Sequence, residues 1–317
     1  MKKIKWGIIG LGSTYPRFLK GLSLSEKGEL YAVSSHTQAK VDEVSKSYPN
    51  VKLYSDYDAL LEDTNIDAIY ITLRHNDHFK WALKALQKGK AVLVEKPATI
   101  KLEDTQALVN ASKEHNVMFI EALKTRFMPL NAKLHELLDD KLIGNVQSID
   151  VGFGYSIPED HARYLYDPEI GGIIYDVGSY TLGALLDFVK SPVKNYSIEK
   201  DLKKGVDAYE RITLNFENGV TGIVNNALDR NIDRNMTIIG DQGEIFVKDY
   251  HRASYIKISL NDGNVFEYKD PQDDFYFEIE AVHQGIKENR CEDTRMSHQD
   301  SIDLIKLILK LRKEILN

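Results

Sequence analysis

The sequence predicts an α/β protein whose N-terminal half is a doubly wound nucleotide-binding domain with a parallel sheet, followed by an α+β domain with a mainly antiparallel sheet. Three observations carry this. Short apolar runs alternate with helical segments over the first 120 residues, and a glycine turn, Gly10-Leu11-Gly12, follows the first of those runs. From Val193 to Tyr268 the chain then becomes strand-rich, with hairpin-type turn signals.

In order, the strand candidates of the first half are Ile4–Ile9, Leu30–Ser34, Val51–Tyr54, Ala68–Thr72, Ala91–Val94 and Val117–Ile120. Near-continuous apolar strands between helices belong to parallel sheets covered on both faces. The clearest helix between them spans Phe79–Lys88, with Ala82, Leu83, Ala85 and Leu86 as its apolar stripe. The grammar changes after residue 120, so we read domains at 1–120 and 121–317. A helix over Pro129–Leu138, a strand over Val146–Tyr155 and a helix over Ile174–Phe188 come first. Turns follow at Glu217-Asn218-Gly219, Gly240-Asp241-Gln242-Gly243 and Asn261-Asp262-Gly263. Two helices close the chain, the last opened by Ser297 and Asp300 in capping-box spacing.

Composition narrows the function classes. The chain has 317 residues, 43% hydrophobic and 28% charged, enough for two domains with sizeable cores. Its 41 basic and 48 acidic residues give a net charge of −7, which argues against a nucleic-acid partner. A single cysteine, Cys291, rules out an internal disulfide and a cysteine-rich metal site, and fits a reducing cytoplasm. The segment Met1-Lys2-Lys3-Ile4-Lys5-Trp6 begins like a signal peptide, but glycines interrupt its apolar stretch at once. No run reaches the roughly 18 apolar residues of a membrane helix. The expectation is a soluble, cytoplasmic protein.

Gly10-Leu11-Gly12-Ser13-Thr14-Tyr15 stands where a G-x-G-x-x-G/A dinucleotide fingerprint would lie, between strand and helix. Its first glycine makes the tight turn, its second admits pyrophosphate to the backbone, and the helix N-terminus adds its dipole. Tyr15 replaces the third small residue, and Pro16 suits a first helical turn. The plain alternative is a strand–helix connection without a ligand. At the end of the second strand, where an acid would select NAD, the chain has Ser34-Ser35-His36-Thr37. Hydroxyls and an imidazole suit a 2′-phosphate, so NADP is favoured over NAD.

Glu95-Lys96-Pro97 follows the fifth apolar strand. A lysine at the C-terminal end of a strand in such a sheet points into the ligand crevice. The second chemical segment is Gly171-Gly172-Ile173-Ile174-Tyr175-Asp176-Val177-Gly178-Ser179-Tyr180. Asp176 and Tyr180 share a face if the helix has begun there, and a carboxylate beside a phenol can hold and deprotonate a hydroxyl. The alternative of equal weight is a glycine-rich loop leading into a buried helix with Tyr180 in its core.

Together these segments resemble the Gfo/Idh/MocA family of NAD(P)-dependent oxidoreductases across nearly the whole chain. The motifs are Gly10-Leu11-Gly12, Glu95-Lys96-Pro97, Gly171-Gly172 with Asp176-x-Gly178-x-Tyr180, the run from Glu121 to Pro129, and the run from Phe275 to Val282. Tyrosine at 180 and the Glu121-Ala122…Arg126-Phe127 run are most similar to the branch holding dimeric dihydrodiol dehydrogenase, xylose dehydrogenase and glucose–fructose oxidoreductase.

The resemblance implies a Rossmann domain and a second domain whose large open sheet often builds a dimer. It implies hydride transfer between the nicotinamide and a hydroxyl or carbonyl carbon of a sugar, polyol or diol. Lys96 then matches the family lysine that positions nicotinamide ribose and substrate oxygen, Tyr180 the acid/base, and Asp176 a residue orienting substrate hydroxyls. A phenol near pKa 10 serves as a base near neutrality only if its anion is stabilised, and a lysine ammonium does that. Gly10, Gly12, Ser13, Thr14, Ser35, His36, Thr72, His75, His78, Glu95, Lys96 and Pro97 form the expected cofactor side. Lys96, Lys124, Arg126, Asp176 and Tyr180 form the expected substrate side. The family's Lys-Pro bond is often cis.

Several residues depart from the pattern. Lys124 stands where the branch often carries tryptophan, exchanging an aromatic platform for a cation, which could favour a sugar or an anionic substrate. Arg74 replaces a common proline and reads best as a surface charge, while Arg126 could equally be a structural pairing residue. His75-x-x-His78 lacks a third ligand at suitable spacing, so no metal is expected. Tyr250 and His251 lie where relatives often have an aromatic pocket residue. Two function classes stand: the dehydrogenase or reductase, favoured because Lys96, Asp176 and Tyr180 occur together, and a non-catalytic dinucleotide-binding sensor or regulator on the same fold.

Overall fold

A computed structural model describes residues 2–158, 160–161, 163–270 and 273–317. Its first half follows the predicted alternation: β1 (Ile4–Ile9), α1 (Tyr15–Ser23), β2 (Gly28–Ser34), α2 (Gln38–Ser47), β3 (Lys52–Tyr54), α3 (Tyr57–Glu62), β4 (Ala68–Ile71), α4 (His75–Gln87), β5 (Ala91–Glu95), α5 (Leu102–His115) and β6 (Phe119–Ala122). The strands form one parallel sheet in the order β3-β2-β1-β4-β5-β6. That order reverses between β1 and β4, and ligands of open α/β sheets bind at such a switch point.

The second half contains α6 (Pro129–Asp139), β7 (Val146–Ser156), α7 (Ile173–Asp176), α8 (Gly178–Val189) and then β8 (Val193–Lys203), β9 (Val206–Phe216), β10 (Thr221–Ala227), β11 (Asp229–Ile232), β12 (Met236–Gly240), β13 (Gly243–Lys248), β14 (Tyr255–Leu260) and β15 (Val265–Lys269). These strands form a nine-stranded sheet, antiparallel except where β10 runs parallel to β7. Each of the three glycine-bearing turns named above closes a hairpin, β9–β10, β12–β13 and β14–β15. The chain ends with α9 (Asp274–Glu288) and α10 (His298–Leu316). Ser297 and Asp300 make the reciprocal cap: Asp300 N–H donates to Ser297 Oγ at 3.1 Å and Ser297 N–H to Asp300 Oδ2 at 2.8 Å.

Two details differ from the sequence reading. The helix expected over Ile174–Phe188 is two helices, because the chain breaks its ladder at Val177 before α8 starts. The compact units are also not the contiguous 1–120 and 121–317. One comprises Met1–Lys124 with Asp273–Ile305, the other Thr125–Gln272 with Lys306–Asn317. Long-range packing explains the return of α9. In the first unit Trp6, Phe18 and Tyr70 are fully buried, with Phe18 stacked on Tyr70 at 4.0 Å between centroids. Trp6 Nε1 donates to His283 Nε2 of α9 at 2.9 Å. A Cβ on Gly21 of α1 would lie 2.9 Å from Phe275, so helix α9 seats tightly on α1. Each such aromatic contributes about 1.5–3 kcal/mol by leaving water.

Candidate active site

In the first unit the glycine turn is fixed by the fold. Gly10 has φ +81°, a left-handed backbone that favours glycine, and its N–H donates to Ser34 O at 2.9 Å. A Cβ on Gly12 would meet Thr72 Oγ1 at 2.5 Å and Thr72 O at 2.7 Å. The second glycine therefore admits the end of β4 beside the turn, a role the fingerprint alone did not reveal. Thr14 makes no side-chain cap for α1. Its hydroxyl lies 2.8 Å from Thr72 Oγ1 and 2.9 Å from the Tyr70 hydroxyl. The first turn of α1 carries no acid of its own.

Tyr15 is accommodated by turning toward α2, where its buried ring places the hydroxyl 3.1 Å from Glu43 Oε2. Burial, then Glu43, raises its pKa. Beside it lies a residue that the sequence reading missed. Lys40 Nζ donates to Leu11 O at 2.6 Å and sits 5.7 Å from the Tyr15 ring. The signal was available, since Lys40 occupies the first turn of α2 just after Ser35-His36-Thr37, but only the fold brings that turn to the glycines. Ser13 and His36 are exposed, and Ser35 is half-buried, accepting from Thr37 N–H at 3.2 Å.

The turn after β5 is held from several sides. Lys96-Pro97 is cis. Glu95 is buried and accepts from the Tyr70 hydroxyl at 2.5 Å, tying it to Thr14 and Thr72 rather than leaving it open. Burial raises its pKa, with Tyr70 and the nearby cations Lys96 and Lys124 opposing. Glu278 of α9 is fully buried, neither of its carboxylate oxygens hydrogen-bonded to a described residue, and burial, then Glu95, raises its pKa. Glu121 accepts from Ala98 N–H at 2.9 Å. His78 Nδ1 lies 2.9 Å from Pro97 O and Nε2 3.2 Å from Leu73 O. Burial lowers the His78 pKa, opposed by the carbonyls of Pro97 and Leu73. His75 is also buried, its ring 5.9 Å from that of His78. Among the described residues no group of three His, Cys, Asp or Glu side chains is arranged to hold a metal.

Lys124 is buried and ion-paired with Asp274, which also binds Arg17. Burial holds its ammonium below the usual lysine range despite Asp274. Arg126, in the second unit, is buried too: Nη2 donates to Gly183 O at 3.2 Å and Nη1 lies 3.6 Å from Asp187. Asp187 also accepts from Asn131 and His135. Lys124 and Arg126, two of the three cations expected on the substrate side, thus lie in buried ion pairs. Arg74 is exposed, just ahead of α4.

In the second unit Asp176 and Tyr180 sit at the junction of α7 and α8. Gly172, with φ +103°, makes the junction possible, because a Cβ there would strike Asp207 Oδ1 at 2.1 Å. Asp207 Oδ2 in turn accepts from Ile174 N–H at 2.7 Å. Beneath α8, Glu210 is fully buried and accepts from Asn226, which joins Thr181. Asp176 is half-buried and accepts from the Tyr155 hydroxyl. Tyr180 is buried, and its ring lies 5.8 Å from Phe153 and 6.3 Å from His251. Phe153 and His251 are 4.6 Å apart. Tyr250 is buried, and burial raises its pKa. Tyr155 and Phe153, two residues apart and so on the same face of one strand, both turn to this corner and escaped the sequence reading because β7 carries no motif.

A cavity of about 420 Å³ in the first unit is lined by Asp67, Lys88, Lys90, Asn116 and Arg290 among others. Asp67 and Lys90 precede β4 and β5, so it lies at the N-terminal edge of the sheet, away from Gly10, Thr72 and Lys96.

Comparison with known proteins agrees with this architecture. Residues 4–123 match the GFO_IDH_MocA profile, described as an oxidoreductase family with an NAD-binding Rossmann fold, and residues 131–246 match the C-terminal domain profile of the same family. The chain belongs to the Gfo/Idh/MocA oxidoreductase family. Within this family it is 27% identical to a D-xylose 1-dehydrogenase (NADP(+)) of Haloferax volcanii, over 96% of this chain and 94% of that protein. It is 25% identical to trans-1,2-dihydrobenzene-1,2-diol dehydrogenase of Danio rerio, over 98% and 97%. A scyllo-inositol 2-dehydrogenase (NADP(+)) of Bacillus subtilis is 26% identical over 98% and 97%. The fold is shared with a 3-ketoreductase from Actinomadura kijaniata, solved with NADP and TDP-benzene, at TM-score 0.88 and 21% identity over 98% of each chain. These relatives support the dihydrodiol and xylose dehydrogenase branch.

Proposed function

We propose that this family member is an NADP-preferring dehydrogenase or reductase that moves a hydride between the nicotinamide and a hydroxyl or carbonyl carbon of a sugar, polyol or diol. The observation that carries the reading is the turn after β5, where Lys96 is presented half-buried while Tyr70, His78 and Glu121 brace its neighbours. The dinucleotide fits the first unit's residues. Gly10 and Gly12 leave the turn without side chains, the acid-free start of α1 suits pyrophosphate, and Ser35, His36 and Lys40 offer hydroxyls and a cation to a 2′-phosphate. The bound nicotinamide supplies or accepts the hydride.

The chain's own residues supply the rest. Lys96 would hold the oxygen of the reacting carbon and steady negative charge on it. Tyr180 would take that oxygen's proton during oxidation and return it during reduction. Asp176, oriented by Tyr155, would accept from neighbouring substrate hydroxyls. Thr72, Glu95 and Pro97 would shape the cofactor side through the contacts described, with His75 beside them.

Fluorescence titration with NADPH and NADH, followed by a panel of aldoses, inositols and diols, tests the reading. Tight NADPH binding with turnover of at least one polyol supports it, and failure of both cofactors to bind refutes it. We further propose a homodimer through the second unit's sheet, working in the cytoplasm. Among the described residues no helix is long and apolar enough to cross a membrane. Light scattering at micromolar concentration would show the dimer mass, and a monomer mass would refute the assembly.

A further inference from the structure

Among the described residues of the second unit, one cation outside the ion pairs is held against an aromatic neighbour of Tyr180. Arg234 lies in the short connection between β11 and β12, half-buried, and makes no side-chain hydrogen bond or salt bridge to any described residue. Its backbone is nonetheless fixed. Arg234 O accepts from Tyr250 N–H at 2.6 Å, and the next residue, Asn235, accepts through its carbonyl from Gly152 N–H at 3.0 Å and through its side chain from Asp249 N–H at 3.1 Å.

The side chain is directed as well. Its guanidinium carbon sits 4.9 Å from the centroid of Phe153, the ring that also touches Tyr180, His251 and Tyr155. Stacking on a ring engages the face of a guanidinium and leaves its N–H edges free, a fork that matches carboxylate or phosphate oxygens. In the same corner lies the Tyr155–Asp176 pair, in which Asp176 already accepts from the phenol. Burial and Asp176 raise the Tyr155 pKa, and the positive charge of Arg234 pulls the other way, which places the guanidinium in the same corner. Among the described residues, Arg234 thus brings to the surroundings of Tyr180 a positive charge that enters no ion pair, on a backbone fixed by hydrogen bonds.

We propose that Arg234 anchors a negatively charged substituent of the substrate, so that the substrate class is an anionic sugar or polyol, bearing a carboxylate or a phosphate, rather than a neutral one. The charge would be bound beside Phe153 while the reacting hydroxyl lies at Tyr180. Arg234 acts here as a specificity-determining residue, taking no part in the hydride or proton transfer.

The inference rests on the dehydrogenase reading above, so its test has a binding readout and a turnover readout. Calorimetric titration in the presence of NADP+ compares D-glucuronate and D-glucose 6-phosphate with D-glucose, in the wild type, Arg234→Met and Arg234→Lys. At least one anion is expected to bind about tenfold or more tightly than glucose, with Arg234→Met bringing the ratio near one and Arg234→Lys keeping part of it. The two anions distinguish a sugar acid from a sugar phosphate. Circular dichroism establishes that both variants are folded. Equal affinities for all three sugars in the wild type, or an anion preference that survives in folded Arg234→Met, overturns the proposal. Anion-selective binding without turnover of any sugar strikes the dehydrogenase reading and leaves the anion site standing.

Discussion

The imidazole of His78 lies with Nδ1 2.9 Å from the carbonyl oxygen of Pro97, one residue beyond Lys96. Through this bond α4 holds the loop that presents the lysine, although His78 itself is fully buried. Replacing it with alanine leaves two buried carbonyls, of Pro97 and Leu73, without a ring partner. The expected loss is about 1–3 kcal/mol of stability, read as a lower Tm, with a fall in kcat/KM. Asparagine can supply an N–H near the Nδ1 position and should recover part of both. Equal kcat/KM for alanine and wild type would remove His78 from any positioning role.

Lys96→Met and Tyr180→Phe separate chemistry from folding. Each keeps the bulk of the side chain and removes the polar atom, so the unfolding transition should stay near that of the wild type. Turnover should fall by about 10²–10⁴ in each, measured as NADPH formation or consumption with the best substrate of the panel. Rates within a few-fold of the wild type in both variants would reassign the acid/base role.

Lys40 links the start of α2 to the glycine turn through Leu11 O. If it also meets the 2′-phosphate, Lys40→Met should weaken NADPH binding by about tenfold and change NADH binding far less. Fluorescence titration with both nucleotides decides this, and parallel weakening of the two would mean that Lys40 only braces the turn.

Asp207 gives a pH prediction with a definite sign. Burial pushes its carboxyl up from the usual 3.8 to about 6, even though backbone N–H groups at Ile173 and Ile174 favour the ionised form. Below pH 3.8 both folded and unfolded chains hold the proton, so the group contributes nothing. Between 3.8 and about 6 the unfolded chain releases it first, and stability falls as pH rises through that window. Asp207→Asn keeps an acceptor for Ile174 N–H and removes the ionisation. It should therefore stabilise the protein by about 1–3 kcal/mol at pH 7 and by little at pH 3.5, measured by urea unfolding at both values. A destabilised variant at pH 7 would show that the ionised carboxylate itself holds the junction of α7.

Much of this molecule is legible residue by residue. β1 matched its predicted bounds, and the three Gly-bearing hairpins and the Ser297/Asp300 cap formed where turn and capping chemistry put them, because these signals are local. The site was legible only in outline. Lys124 and Arg126 looked like substrate contacts by their place in the motif, yet Asp274 and Asp187, distant in sequence, claim them in buried pairs. Nothing near either cation in the chain announces those partners.

By itself, the sequence determined the parallel sheet, the glycine turn, the lysine at the end of β5 and the family to which the chain belongs, since periodicity and short motifs encode each of them. Only the tertiary structure decided that α9 packs with the first unit, that His78 and Glu121 brace the Lys96 turn, and that Arg234 stands beside Tyr180's aromatic neighbours with no ion-pair partner among the described residues. The physical reason is the same in each case. A buried donor, acceptor or charge is defined by what faces it, and those partners come from strands and helices that meet only when the chain is folded.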